Sequence, residues 1–283
     1  MNKADVNQIG AVVADVSNRV AIPKYKNLRP DEISEKDRND YVTSVDFEIQ
    51  QSLINSLKEH YPNSIFISEE MQHHYSAKEI KELSKTQHVW IIDPLDGTGN
   101  FVKGNPNFRS VVALIQDGEP KASWIHSPLN NETLCALSGE GSWELRSGKE
   151  INVNQNESKT NEVLDVNSNV KEIYNEDYKI RNLHCRSATY GAMAQGKIDG
   201  AVFTKELKWW DHIPGTLLHK EAGGVNAMIN GEDYGLETTS RNLISANSPT
   251  LWRDLQRRAR SHIIEPDLTE SGRNPDHDLG PTR

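Results

Sequence analysis

The chain has little that would staple it, anchor it or draw it to a polyanion. It holds two cysteines, Cys135 and Cys185, with no CxxC spacing and no clustering with histidine. That excludes a disulfide framework or a cysteine zinc site and predicts buried structural thiols in a reducing compartment. Basic residues are outnumbered, 32 Lys and Arg against 41 Asp and Glu, for a net charge of −9. Wrapping nucleic acid or binding an anionic membrane needs the opposite sign, so neither is expected as a partner. An anionic small molecule would meet a repulsive average field and need local cations. No apolar run approaches the roughly 20 residues that span a bilayer. The most apolar early stretch, Ile9 to Val16, is short and contains Asp15. The opening Met-Asn-Lys-Ala-Asp-Val lacks the apolar core of a secretory signal, so the expected location is the cytoplasm. Repeats, heptads and low-complexity tracts are missing too.

What is present is mixed α and β periodicity. Ile9, Val12, Val13, Val16 and Val20 share one helix face, and Pro23 is expected to end that helix. Residues 27–40, charged and poor in apolar side chains, read as a mobile loop. Thr43 or Ser44 caps a second helix carrying Ile49, Leu53, Ile54 and Leu57. Two strand-length runs follow, Ile65–Ile67 and Val89–Ile92, separated by a polar segment, 71–88. Both end in acids, Glu69-Glu70 and Asp93, where ligand sites of α/β sheets tend to lie. Residues 109–153 read as closely spaced antiparallel strands.

After a polar stretch at 152–162, strands at Val163–Val166, Ala201–Phe203, Val225–Ile229 and Leu243–Ala246 alternate with helices near 171–178 and 188–196 and from about His212 to Ala222. Gly223-Gly224 stops the last of these. Ser248-Pro249 opens a final helix with Leu251 and Leu255 inward. At about 150 residues per domain, 283 residues suggest two. The division is an N-terminal half, 1–153, a C-terminal half, 154–262, and a disordered, proline-bearing tail, 263–283.

The chemistry concentrates in Trp90-Ile91-Ile92-Asp93-Pro94-Leu95-Asp96-Gly97-Thr98. A buried strand emerges into two acids three residues apart, then glycine and a hydroxyl. Hard divalent cations take carboxylate and carbonyl oxygens, so a turn holding Asp93, the Leu95 carbonyl and Asp96 offers two or three ligands from one point. Gly97-Thr98 then presents backbone N–H groups suited to a phosphate oxygen. An ordinary acidic turn has the same composition, and Glu69-Glu70 at a second strand end tips the balance toward a site.

These residues resemble the inositol monophosphatase family of magnesium-dependent phosphatases. The run matches its DP(I/L)DG(S/T) signature; Val42-Thr43-Ser44-Val45-Asp46 resembles VTxxD, and Ile67-Ser68-Glu69-Glu70 the strand-end acid pair. Trp210-Asp211 with Gly215, then Glu221-Ala222-Gly223-Gly224, resembles WDxxxG and EAGG, all in order over about 5–260. The resemblance implies a layered α-β-α-β-α sandwich, two or three Mg2+ ions and a homodimer. It implies hydrolysis of a small phosphate monoester and inhibition by Li+. Glu69, Asp93 and the Leu95 carbonyl would hold one ion; Asp93, Asp96 and Asp211 would hold another. Asp46 and Thr98 would orient the attacking water, and Glu70 would serve an outer shell or a third ion. Asp96, Gly97, Thr98, Gly191 and Asp211 would meet substrate.

Plainer roles compete. Asp46 also fits the third position of a capping box, Asp211 a helix N-cap, Glu70 a solvated acid, and Trp209-Trp210 packing. His73-His74 reads as a solvated loop. The departures fall on the alcohol side. Gly99 stands where Thr, Ser or Lys is frequent in the family, Thr204 where inositol enzymes often have an acid (Glu206 is displaced by two), and Arg186-Ser187-Ala188 where a Gly-(Ser/Thr)-Ala run is usual. Lys36 approximates the family's lysine. A haloacid-dehalogenase-type phosphatase would need DxDGT, with acids at i and i+2 on one strand face; here they are i and i+3. Other substrates of the same fold are 3'-phosphonucleotides, sugar bisphosphates, for which Lys103 and Arg109 are the candidate basic residues, and histidinol phosphate. A homologue with a dead site should have lost its ligand acids, and this chain retains them.

Overall fold

Two amphipathic helices make the first layer of the computed structural model, which describes residues 1–37, 40–71, 75–153, 162–204, 207–238 and 241–262. Helix α1 (Lys3–Lys24) starts at a capping box between Asn2 and Asp5 and buries Val6, Ile9, Val13, Val16 and Val20. Pro23 does not end it as expected. Proline in the final turn forfeits a single bond, and the helix closes with Tyr25 N–H on the Ala21 carbonyl at 2.9 Å. The segment expected as a loop is a hairpin, β1 (Ile33–Asp37) against β2 (Asp40–Thr43), antiparallel. β1 is exposed along most of its length, so it lacks the apolar alternation that marks a half-buried strand. Helix α2 (Ser44–His60) follows directly, capped by Thr43.

Beneath these helices lies a seven-stranded sheet in chain order: β3 (Ile65–Ser68), β4 (Val89–Asp96), β5 (Arg109–Gln116), β6 (Glu119–Ser127), β7 (Glu132–Leu137), β8 (Gly141–Glu144) and β9 (Glu150–Ile151). β3 and β4 are parallel and the rest pair antiparallel. The parallel pair needs a crossover, supplied by helix α3 (Ala77–Ser84). That helix lay hidden in the polar segment 71–88 because its one buried apolar residue, Ile80, makes no periodicity. A short helix, α4 (Thr98–Val102), leaves the end of β4.

The C-terminal half runs β10 (Val163–Val166), α5 (Lys171–Tyr174), β11 (Lys179–Arg181), α6 (Arg186–Ala194), β12 (Gly200–Phe203), α7 (Trp209–Glu221), β13 (Val225–Met228), β14 (Leu243–Ala246) and α8 (Pro249–Arg260). Its strands form a second sheet, ordered β11-β10-β12-β14-β13. The helix expected at 171–178 is one turn, after which the chain pairs as β11. α7 begins three residues before the expected His212, which places Asp211 inside its first turn. α6 and α7 form the middle layer: Tyr190, Met193, Leu217 and Leu218 share one core with Val111, Ile125 and Leu134 of the first sheet and Ala201 of the second. α8 and Tyr174 of α5 cover the outer face of the second sheet. The layers therefore read α-β-α-β-α. Among the described residues no helix is long and apolar enough to cross a membrane.

The middle layer depends on one glycine. A Cβ on Gly215 of α7 would lie 2.0 Å from the Tyr190 ring of α6. Both helices could stay so close only if the ring moved, and Tyr190 is fully buried. Gly215→Ala should therefore destabilise by about 1–3 kcal/mol, the usual cost of overpacking a core. Urea denaturation should show a lower midpoint with an unchanged slope.

Candidate active site and metal centre

The site begins with an irregularity in β4. Asp93 is registered with Val111 and Asp96 with Arg109, so β4 advances three residues while β5 advances two. In a regular strand residues i and i+3 point to opposite faces; one extra residue restores the phase. The bulge is why two acids at that spacing converge here. Pro94 sits within it, and its carbonyl accepts from Ser110 Oγ at 2.7 Å. Leu95 N–H donates to Asp93 Oδ1 at 3.0 Å, and the Leu95 carbonyl accepts from Thr98 Oγ1 at 2.9 Å. Gly97 then turns the chain at φ 86°, and a Cβ there would stand 2.7 Å from the Asn107 carbonyl.

Other elements bring further groups to this edge. Asp211 arrives from the first turn of α7, and carboxylate oxygens of Asp93, Asp96 and Asp211 lie within 4.8 Å of one another. Lys208 is the N-cap of α7, so Asp211 is not the cap residue. Glu69, at the end of β3, lines the same cavity of about 330 Å3, together with Gly97, Thr98 and Gly99. Asp46 completes a capping box and also reaches Thr98. Its Oδ2 accepts from Thr43 N–H and Oγ1 at 2.8 and 2.6 Å, completing a capping box, while its Oδ1 lies 3.2 Å from Thr98 Oγ1. The single Thr98 hydroxyl proton thus faces two acceptors, Asp46 and the Leu95 carbonyl.

The hairpin delivers Lys36, whose Nζ stands 2.7 Å from Glu70 and 3.5 Å from Glu69. Glu70 is therefore a paired, covered acid rather than a solvated one. α6 contributes donors that the sequence did not signal. Ser187 N–H and Oγ donate to Asp96 Oδ2 at 2.6 and 2.5 Å, and Arg186 Nε stands 3.3 Å from Asp211 Oδ2. No motif pointed to Ser187; the only signal was that this helix start departs from the family pattern.

Some expected residues are elsewhere. Gly191 lies on α6 with its Cα side against Leu134, where a Cβ would sit at 3.2 Å, and does not line the acidic cavity. Lys103 lies 5.7 Å from the centroid of the Tyr41 ring, outside the cavity lining. Arg109 donates to the Phe108 carbonyl at 2.7 Å. Trp209 packs, with its Nε1 on the Leu236 carbonyl at 3.2 Å, whereas Trp210 forms part of the cavity wall. Thr204 accepts from Asn167 Nδ2 at 2.9 Å in an adjoining cavity of about 160 Å3, which also takes in His184, Arg186 and His212. Cys135 and Cys185 are both free and buried. Residues His73, His74 and Glu206, most of the 152–162 stretch and the 263–283 tail lie outside the described residues.

Burial and mutual repulsion raise several acids of the site. Burial, then the charge of Asp211, pushes Glu69 up to about 8, although Lys36 opposes it. Burial pushes Asp211 up to about 7 against the pull of Arg186, and Asp46 up to about 6. Asp93 is raised by burial and by Glu69, Asp96 and Asp211. Its Oδ2 is fully buried with no hydrogen-bond partner among the described residues. A buried carboxylate oxygen without a donor is costly unless a cation meets it. An all-oxygen set of Glu69, Asp93, Asp96, Asp211 and a carbonyl suits Mg2+ rather than a softer metal.

A profile of the inositol monophosphatase family matches residues 3–265. A Thermotoga maritima protein named fructose-1,6-bisphosphatase/inositol-1-monophosphatase is 30% identical over 215 residues, 74% of this chain and 78% of the relative. The Nus factor SuhB of Escherichia coli K12 is 29% identical over 231 residues, 76% and 81% of the two chains. The solved structure of a Thermotoga maritima IMPase superposes with a TM-score of 0.75 at 25% identity, covering 92% of this chain and 98% of that one. The layered architecture is thus shared with inositol monophosphatases.

The raised acids set a pH signature. Each holds its proton in the folded chain at a pH where the unfolded chain, with carboxylates near 4, has lost it. Their penalty is therefore absent in acid and grows as pH rises through about 6, 7 and 8 for Asp46, Asp211 and Glu69. In EDTA the melting temperature should fall between pH 6 and pH 8.5, and Mg2+ should restore it at the upper end. A flat profile in EDTA would speak against a cluster of uncompensated acids.

Proposed function

We propose that this chain, which belongs to the inositol monophosphatase family, is a Mg2+-dependent phosphatase acting on a small phosphate monoester. The observation that carries the reading is the buried Oδ2 of Asp93, without a hydrogen-bond partner among the described residues, on an acid whose carboxylate groups with those of Asp96 and Asp211 within 4.8 Å. Glu69, Asp93 and the Leu95 carbonyl would hold one ion, and Asp93, Asp96 and Asp211 the other. Bound Mg2+ supplies charge neutralisation for the phosphate and acidifies water.

The chain's own groups do the positioning. Asp46 and Thr98 face each other across 3.2 Å, so the Thr98 hydroxyl orients a water in the cavity while Asp46 receives its proton through that hydroxyl. Gly97 and Thr98 present backbone to the phosphate side, and Lys36 holds Glu70 and Glu69 in place. Phosphoryl transfer asks mainly for such positioning and for charge compensation. The adjoining cavity, with Asn167, Thr204 and His212, would receive the alcohol. Its wall also carries Asp165 and Arg186, and it has Thr204 at the position where inositol enzymes often place an acid, which favours a related sugar or polyol phosphate over inositol monophosphate itself. A 3'-phosphonucleotide, a sugar bisphosphate and histidinol phosphate are the alternatives within the fold. The two sheets act as one catalytic unit in this reading, because Asp211 completes a site built from the first half. A cytoplasmic homodimer inhibited by Li+ is carried over from the family.

A second reading, metal and phosphate binding without turnover, draws on the relatives named Nus factor SuhB. Phosphate release from inositol, sugar, nucleotide and histidinol phosphates separates the two. Turnover on one of them, lost at least about a thousandfold (~4 kcal/mol) in Asp93→Asn, is expected. Near-normal Mg2+-dependent turnover in that variant would sink the mechanism, and uniformly inert esters with intact Mg2+ binding would favour the second reading.

A further inference from the structure

The start of α6 grips both acids that are peculiar to the second ion. Arg186 Nε lies 3.3 Å from Asp211 Oδ2, and Ser187 donates twice to Asp96 Oδ2. Asp93, which the assignment shares between both ions, has an oxygen with no hydrogen-bond partner among the described residues. Lys36 pairs instead with Glu69 and Glu70, and Lys208, the N-cap of α7, also lines the cavity. The two ion positions are therefore prepared unequally. The first faces Glu69, Asp93 and a carbonyl, with Lys36 as a mobile-stemmed counterion 3.5 Å from Glu69. The second must form where a guanidinium already compensates one ligand and hydroxyl and amide donors occupy another.

We infer that Arg186 is a positioning residue that holds Asp211 in place and weakens the binding of the second divalent ion; the inference rests on the metal assignment of the proposed function. Arginine stays charged at any working pH, and its planar fork matches a carboxylate. A divalent ion bound to Asp211 would lie within a few ångströms of that guanidinium, and like charges so close disfavour each other strongly in a partly buried cavity. Asp211 is the acid that Arg186 meets most closely, and its charge also acts on Asp96, the other acid assigned to that ion alone. The consequence is a second ion that binds well only when a phosphate dianion arrives to offset both cations. A small neutral residue at the same position would leave Asp211 free for the ion.

Mn2+ alone, titrated into the full chain at pH 8 and followed by electron paramagnetic resonance of the free ion, tests this without turnover. Wild type should show one tight and one weak class of site. Arg186→Met should tighten the weak class by at least about tenfold, ~1.4 kcal/mol. The tight class, whose assigned ligands do not include the Asp211 that Arg186 contacts, should stay within about twofold. Arg186→Lys keeps the charge and should stay near wild type, and Arg186→Gln serves if the methionine variant folds poorly by circular dichroism. An unchanged or weaker second class in the methionine or glutamine variant overturns the inference. Asp93→Asn is the separate control: if it keeps both classes, the metal assignment itself fails, whatever Arg186 does.

Discussion

The structure is organised around like-charge repulsion at the end of one strand. Asp93, Asp96 and Asp211 present oxygens within 4.8 Å of one another, and Asp93 and Asp96 are almost wholly buried. At an effective dielectric constant near 20, two carboxylates at such a distance repel by about 3–4 kcal/mol. Nothing in a hydrophobic core would keep them there. The β4 bulge forces Asp93 and Asp96 onto one side, and α7 is brought in by the close approach at Gly215. The remaining acids, Glu69 and Asp46, come from the β3 end and the α2 start. The fold spends stability to assemble charge, which is how sites built for cations generally look.

The surrounding donors moderate that repulsion without abolishing it. Lys36 meets Glu70 and Glu69, Arg186 and Ser187 each meet one acid, and Thr98 meets Asp46. Three cationic side chains, Lys36, Arg186 and Lys208, face seven acids: Asp40, Asp46, Glu69, Glu70, Asp93, Asp96 and Asp211. The deficit left over is of the size that divalent ions fill. A chain with a net charge of −9 would repel a phosphate on average, but divalent ions held as proposed would reverse the sign at the site. The acidic composition and an anionic substrate are then compatible.

Much of this was legible in the sequence, and the failures have physical causes. Amphipathic helices such as α1 and α2 and apolar strands such as β4, β12 and β14 announce themselves through periodicity. β1 and α3 do not, since one is exposed and the other buries a single apolar side chain. The acids were readable because their order and spacing match a family, and Asp46, Glu69, Asp93, Asp96, Thr98 and Asp211 do converge. Their convergence itself was not readable: residues i and i+3 share a face only through a bulge, which pairing reveals. Ser187 and Arg186 carry no motif and meet the acids through tertiary packing of α6. Gly191, expected at the site by resemblance, lies on α6 beside Leu134 and does not line the acidic cavity.

Anomalous diffraction from crystals soaked in Mn2+ with phosphate at pH 8 tests the central claim most directly. Two ordered peaks are predicted, both within coordination distance of Asp93, one also reaching Glu69 and the Leu95 carbonyl, the other Asp96 and Asp211. The absence of any peak at Asp93, with the acids and their protein partners unmoved, would contradict the account.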